Sequence, residues 1–359
     1  MQIEINRAGQ SAFDYVEGLK RYVAEKLTPG LRAAYETEER RYARTRNGER
    51  PTTMEQAGEI LRTMTLYKYN RAIQRASQEL MWAVIYESLE PLRAELTEEL
   101  NRVTENALGS VEAHPDLELP EYYTAVEFHL QPRSYHGDDL AGVVYDIGVP
   151  IYVLRRNGSD SGQSGRALAS VIPPGQYDKI LDMGCGIGQK TIPISDAFPG
   201  AEVHAIDLSA PMIKYAHKRA EQMGRRIHFS QQNVERTNFA DNTFDLVVST
   251  ILLHELPPSA IRKMIAESYR ILKPGGLAAH LDLPPYNRQS PCDAFLMDWE
   301  TRNNGEPYWR AFHELDLPAI YREAGFNDIR EITAESQWSR GPGFYSGRFP
   351  YWVTMGEKQ

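Results

Sequence analysis

The sequence predicts an α/β protein: a seven-stranded, doubly wound, mostly parallel sheet joined to an N-terminal all-α domain. Three observations predict it. Tyr177-Asp178-Lys179-Ile180-Leu181-Asp182-Met183 is an apolar strand that runs into Gly184, Gly186 and Gly188, and a helical pattern begins at Gln189. Such a strand, glycine turn and helix open a nucleotide-binding α/β unit, because a Cβ would block the tight turn and the close approach of a ligand. From there onward strand-like and helix-like stretches alternate, as parallel sheets with crossover helices require. Before it, residues 1–110 carry apolar side chains at helical spacing.

Composition narrows the function. A chain of 359 residues is long enough for two domains. With 42% hydrophobic and 25% charged residues it reads as a globular chain rather than a disordered one. The net charge of -9 argues against nucleic acid as partner, and the arginines between Glu39 and Arg50 are diluted by acids, as on a solvated helix face. Two cysteines, Cys185 and Cys292, cannot build a disulfide framework. The start, Met1-Gln2-Ile3-Glu4-Ile5, lacks the pattern of a secretory signal, and no apolar run suits a membrane span. A cytoplasmic enzyme is therefore expected.

The elements follow in order. Phe13, Val16, Leu19, Tyr22 and Val23 make a helical stripe that Thr28-Pro29-Gly30 should interrupt. Thr53 and Gln56 form a capping-box signature, followed by Ile60, Met64, Tyr67, Ile73, Leu80 and Val84 at helical spacing. A further helix is expected over 92–108. Residues 1–120 thus read as a helical lid or dimerisation domain, because apolar helix faces need a partner, either the catalytic domain or a second subunit in a homodimer. Residues 121–176 read as a linker and cap segment, with an aromatic-rich span holding Tyr122, Tyr123, Phe128, His129, Tyr135 and His136, and a flexible Gly/Ser stretch over Asn157–Gly165. Residues 177–359 form the ligand-binding domain, with strands expected near 179–183, 202–206, 227–231, 244–250, 277–283, 327–333 and 350–356. Helices are expected near 189–198, 210–223, 259–272 and 314–324, with Ser209 as an N-cap. Pro350 places the last strand at an edge or a strand start. The stretch 284–313 reads as an insertion.

The glycine turn has the form Asp182-x-Gly184-x-Gly186-x-Gly188, and its sixth position, Gln189, departs from the G-x-G-x-x-G of dinucleotide enzymes. A second strand ends in Asp207, Asp245 opens a fourth, and Lys273-Pro274-Gly275-Gly276 introduces a fifth. In these features the chain resembles the class I S-adenosylmethionine (SAM) methyltransferases, over roughly residues 140–359. The resemblance implies SAM as cofactor and S-adenosylhomocysteine as product. It implies Asp182, Gly184 and Gly186 against the methionine part, Asp207 on the ribose hydroxyls, and Leu208 and Met212 along the adenine. Asn233, beside Val234, stands where the family often has an acid for the adenine amino group.

The resemblance also places the transferable methyl near the loops after the fourth and fifth strands, which carry His254 and Asp282 as candidate catalytic residues. His254 is the first candidate base if the acceptor must lose a proton, and the alternative is a structural or cofactor contact. His280, inside the fifth strand, reads as a buried neighbour. Tyr286, Trp299 and Trp309 in the insertion are expected to wall the acceptor pocket together with His254. No HExxH motif, CxxC pair or carboxylate cluster is present, so no metal is expected. The expected function is methyl transfer to a small molecule, resembling quinone-biosynthesis and natural-product enzymes. A protein or nucleic-acid methyltransferase and a non-catalytic SAM-binding protein are the alternatives.

Overall fold

The computed structural model describes residues 4–152, 162–334 and 351–359. Residues 157–161 of the expected Gly/Ser stretch, and Pro350, lie outside the described residues.

The first hundred residues are helical: α1 (Arg7–Tyr22), α2 (Thr28–Arg44), α3 (Met54–Thr63), α4 (Thr65–Leu89) and α5 (Arg93–Asn101). Pro29 does not break the chain between α1 and α2. It sits in the first turn of α2, where its missing N–H is not needed, and a π-helical turn over Val23–Leu27 carries the chain across. The Thr53 and Gln56 capping box forms as expected and starts α3. The helix expected over 92–108 is shorter, ending at Asn101, and beyond it Ser110–Glu112 forms an edge strand, β1. Gly109 permits this. A Cβ there would lie 2.0 Å from the carbonyl oxygen of Ile227, and the Glu221 carboxylate accepts from the amides of Leu108 and Gly109 at 2.9 and 2.8 Å.

The cap segment contains the short helix α6 (Glu121–Thr124), then α7 (Ala141–Tyr152), and α8 (Gln163–Val171) precedes the sheet. The sheet elements are β2 (Lys179–Met183), β3 (Glu202–Asp207), β4 (Ile227–Gln231), β5 (Phe244–Thr250), β6 (Leu272–Asp282), β7 (Asn327–Ala334) and β8 (Tyr351–Glu357). Between them lie α9 (Thr191–Ala197), α10 (Ala210–Gln222), α11 (Pro258–Ile271), α12 (Pro291–Asn303), α13 (Trp309–His313) and α14 (Leu317–Ala324). The order is β1-β4-β3-β2-β5-β6-β8-β7, eight strands rather than seven, the eighth being β1. β1 to β6 pair in parallel, and β8 runs antiparallel between β6 and β7.

Strand alternation sorts side chains onto two faces. Ile180, Leu246, Val248 and Ala279 pack on one face with α8 to α10. Leu181, Val247 and Ala278 pack on the other with α11 and α14. Two further clusters join the helical N-terminus to the rest. Phe13, Val16, Met81, Trp82 and Ile85 share an apolar cluster with Tyr123, Phe128, Tyr135, Leu208, Met212 and Tyr215. Leu31, Ile60 and Leu61 pack on Cys292, Phe295 and Leu296 of α12, and Gly58 approaches so closely that a Cβ would meet the Phe295 ring at 2.4 Å. The strand order reverses at β2, whose neighbours are β3 on one side and β5 on the other. Open α/β sheets bind ligands at such a switch point, at the carboxyl ends of the strands. Among the described residues, no helix is long and apolar enough to cross a membrane.

Candidate functional site

The turn after β2 is fixed by glycine. Gly184, Gly186 and Gly188 have φ of +72°, +52° and +71°, a region other residues adopt only with strain. A Cβ on Gly184 would lie 2.6 Å from the Leu252 side chain, whereas beside Gly186 there is open space. The amides of Gly184 and Cys185 both donate to the Ile206 carbonyl, at 2.8 and 2.9 Å, tying the turn to the end of β3.

Asp207 ends β3 beside this turn. Its Oδ2 accepts from the Gly186 amide at 2.8 Å and its Oδ1 from the Ser209 amide at 2.9 Å. Burial pushes its carboxyl up to about 6, against the pull of those two amides. Ser209 caps α10 as expected, accepting from the Met212 amide. Asp182 lies behind the turn, fully buried. Its Oδ2 accepts from Thr191 Oγ1 at 2.6 Å, while Oδ1 has no partner among the described residues. Burial pushes the Asp182 carboxyl up to about 7, opposed by the Thr191 hydrogen bond and the Lys190 charge.

A cavity opens over the turn, lined there by Gly184, Cys185, Gly186, Gln189, Lys190 and Asp207. Leu208, Met212 and Val234 form an apolar side of it. Asn233 does not line it. Its Oδ1 instead accepts from the Glu235 amide at 2.9 Å, closing a local turn. Asp245 belongs elsewhere too: it stands at the amino end of β5, where it accepts from the Lys179 amide at 2.9 Å and from Lys273 Nζ at 2.8 Å. Lys190 Nζ donates to the Thr250 carbonyl at 3.3 Å.

The remaining wall comes from the cap segment and the loop after β5. Tyr123, Phe128, Tyr135, Tyr145 and Glu255 line the cavity. Phe128 and Tyr135 stack at 5.7 Å between centroids, Tyr145 meets Tyr135 edge-on at 5.7 Å, and Tyr135 donates its hydroxyl to Glu255 at 3.1 Å. Burial alone would raise the Glu255 carboxyl, but the hydrogen bond and charge of His129 hold it below its ordinary value.

His254 and Asp282 do meet. His254 Nδ1 lies 2.8 Å from Asp282 Oδ1, and the Leu283 amide donates to that same oxygen at 2.8 Å. Neither side chain lines the cavity, because Trp309 covers His254 edge-on at 4.9 Å. Tyr286, Trp299 and Trp309, the acceptor wall expected from the insertion, are not among the described residues that line this cavity. Tyr286 stacks on His313 and donates to Asp298, and Trp309 is 2% exposed. Trp299 is buried with the Arg71 guanidinium 5.6 Å over its ring. These aromatics are consumed in packing α12 and α13 against α3, α4 and the loop after β5. His280 is buried as expected, its Nδ1 2.8 Å from Ser249 Oγ, and burial pushes it down to about 3.

Sequence reasoning gave no place here to Lys190, Tyr145 and Glu306, and it read Glu255 as a local hydrogen-bond partner, which Tyr135 makes it. Glu306 belongs to the insertion and reaches His129, its Oε1 lying 2.6 Å from Nδ1. The aromatic span around Phe128 was a legible signal for the opposite wall. Nothing in the sequence signalled Glu306.

The turn, the acid at the end of β3 and the apolar face suit SAM. The open space beside Gly186 is a cradle that any Cβ would fill, and Asp182 Oδ1 and Gln189 Oε1 are buried acceptors without partners among the described residues. The fold and site therefore define a methyltransferase of the class I type. Comparison with known proteins agrees. A methyltransferase-domain family model matches residues 180–276. An uncharacterized methyltransferase of Synechocystis sp. is 32% identical over 166 residues, 45% of this chain and 71% of that protein. A demethylmenaquinone methyltransferase of Thermus thermophilus is 34% identical over 107 residues, 30% of this chain and 48% of that protein. A trans-aconitate 2-methyltransferase of Deinococcus radiodurans is 32% identical over 114 residues, 32% of this chain and 41% of that protein. The chain thus spans less than half the length of the last two. It belongs to the SAM-dependent methyltransferases.

Proposed function

We propose that the protein transfers the methyl group of SAM to a small-molecule acceptor held against the aromatic wall of the cavity. The observation that carries this reading is the cavity's two-sided lining. The glycine turn, Asp207, Leu208, Met212 and Val234 line one side, and Phe128, Tyr135, Tyr145 and Glu255 line the other. Apolar and aromatic walls with a few converging polar groups are the usual make-up of small-molecule sites. Two of the relatives above are named for small acceptors, a quinone precursor and a tricarboxylic acid.

SAM supplies a methyl group on sulfonium, already activated toward in-line displacement. The chain's own part is mainly alignment, which can contribute several kcal/mol, about 7–11 at best, by converting two reactants into one assembly. Asp207 offers its carboxylate oxygens to the ribose hydroxyls, Gly186 leaves room for the ligand backbone, and Gln189 offers its free amide oxygen to the methionine ammonium. Lys190 supplies positive charge near the methionine carboxylate. Tyr135 fixes Glu255, which faces the acceptor side and takes its proton where the acceptor has one to lose. His254 and Asp282 act as a positioning pair that holds the loop carrying Glu255, rather than as base and partner. The helices α1 and α4, packed on the cap segment, serve as the cover of the site.

The test is a SAM-consumption assay with a panel of small phenols, carboxylic acids, amines and thiols, beside peptide and oligonucleotide substrates. Turnover with a small molecule alone supports the reading. Turnover confined to peptide or oligonucleotide contradicts it.

A further inference from the structure

We propose that His129, Glu255 and Glu306 form a binding site for one first-row divalent cation at the edge of the cofactor cavity. One donor atom from each lies within 4.8 Å of the others. The three come from separate segments: the cap, the loop after β5 and the insertion between α12 and α13.

The fold holds each donor in place. His129 has a left-handed backbone, φ +54°, which an L-residue keeps only where its surroundings impose it. Its carbonyl is clamped by Trp82 Nε1 at 2.7 Å and Gln78 Nε2 at 2.9 Å. Glu306 follows Gly305, whose φ is +68° and whose backbone passes so close to Glu127 that a Cβ would meet that carbonyl oxygen at 2.2 Å. This approach carries Glu306 to His129. Tyr135 fixes Glu255 by donating its hydroxyl to Oε1, the oxygen that His129 Nε2 also faces. Such outer partners orient ligands in metal sites.

Glu306 is the independent sign that a ligand belongs here. It is 0% exposed, and neither carboxylate oxygen makes a well-directed hydrogen bond among the described residues. Its nearest cationic neighbour is His129, with Nδ1 at 2.6 Å, and the same ring turns Nε2 toward Glu255 at 3.5 Å. The nearby His254 is engaged by Asp282. A divalent cation would take one ring nitrogen and one oxygen from each carboxylate.

One imidazole with two carboxylates suits manganese, iron or zinc better than magnesium or calcium, which favour all-oxygen shells. Three protein ligands leave positions open, as in catalytic rather than structural sites. Glu255 lines the cavity, so a cation held by it would stand at the cavity's edge. If the methyl-transfer reading holds, an acceptor hydroxyl or carboxylate bound there would be oriented and a hydroxyl made more acidic, with Glu255 then serving as a ligand rather than as the base. Cation binding itself does not rest on that reading.

The test uses the full chain, stripped with a chelator and desalted. Mn2+ and Zn2+ are titrated by calorimetry, with Mn2+ followed also by electron paramagnetic resonance. The same samples are titrated with SAM. The expected result is one equivalent bound, with affinity lowered by more than about tenfold in Glu306→Gln and in His129→Gln, the scale on which even outer partners act. SAM affinity in Glu306→Gln should stay within about twofold, which shows that the variant is folded. Absence of stoichiometric binding by the unmodified chain, or equal binding by both variants, overturns the proposal. Metal binding without SAM binding would leave the cation site standing and remove the methyl-transfer reading.

Discussion

His254 Nδ1 lies 2.8 Å from Asp282 Oδ1, and the pair is sealed behind Trp309 and Phe312 rather than open to the cavity. Burial alone would lower the His254 pKa, but the Asp282 charge and hydrogen bond raise it above 6.5. Burial would likewise raise Asp282, yet His254 holds it below 3.8. The sign follows for each partner. The pair's stabilisation is complete between pH 3.8 and 6.5, is lost as pH falls through the lowered Asp282 value, and is lost as pH rises through the raised His254 value. His254→Ala leaves a buried carboxylate uncompensated, so unfolding free energy should drop by about 3–5 kcal/mol, with turnover falling alongside. Denaturant unfolding beside steady-state kinetics checks this. A variant of full stability that lost only turnover would restore His254 as a base.

Gly186→Ala should damage ligand binding more than folding. The positive φ imposes roughly 1–2 kcal/mol of strain on alanine, and no neighbour lies within 4 Å to add a clash. The new methyl projects instead into the space reserved for the cofactor. Gly184→Ala should differ, because its Cβ would collide with Leu252 and stability should fall further. Thermal unfolding with and without SAM on both variants separates the effects; equal SAM-induced stabilisation in Gly186→Ala and the parent chain would contradict the cradle.

Asp182 carries the plainest pH signature. Its carboxyl is raised from 3.8 to about 7 by burial, so between those values the folded chain holds a proton that the unfolded chain has released. Stability contributed by this group therefore falls as pH rises through that window and levels off above it. Asp182→Asn mimics the protonated form, and its stability relative to the parent should improve steadily from pH 4 to pH 7. Chemical denaturation across that range reads the difference, and a flat difference would show that Asp182 titrates at its ordinary value.

The glycine turn and its neighbour Asp207 were legible because each requirement there falls on a short stretch of chain. Tight turning and close approach demand glycine at 184, 186 and 188, and the strand period places Asp207 at the end of β3. The helical stripes of α1 to α4 were legible from their spacing, although Pro29 was misread as a break because a first-turn proline and a helix-ending proline look alike in sequence. The cluster beside the opposite wall of the cavity was not legible. His129, Glu255 and Glu306 are brought together by tertiary packing, through the backbone of Gly305 and the clamp from Trp82. The aromatics of the insertion misled for the same reason. Trp299 and Trp309 satisfy the packing needs of the N-terminal helices and of His254, which the local sequence does not reveal. The strand at Ser110–Glu112 escaped notice because three exposed residues on an edge carry no alternating pattern.

The central claim is that SAM sits on the glycine turn with its ribose held by Asp207, and calorimetric titration of SAM into the full chain and into Asp207→Ala tests it most directly. The account predicts binding by the parent chain and a loss of about 1–3 kcal/mol in the variant, the cost of leaving the ribose hydroxyls without a charged partner. Undiminished SAM affinity in a folded Asp207→Ala protein would contradict it.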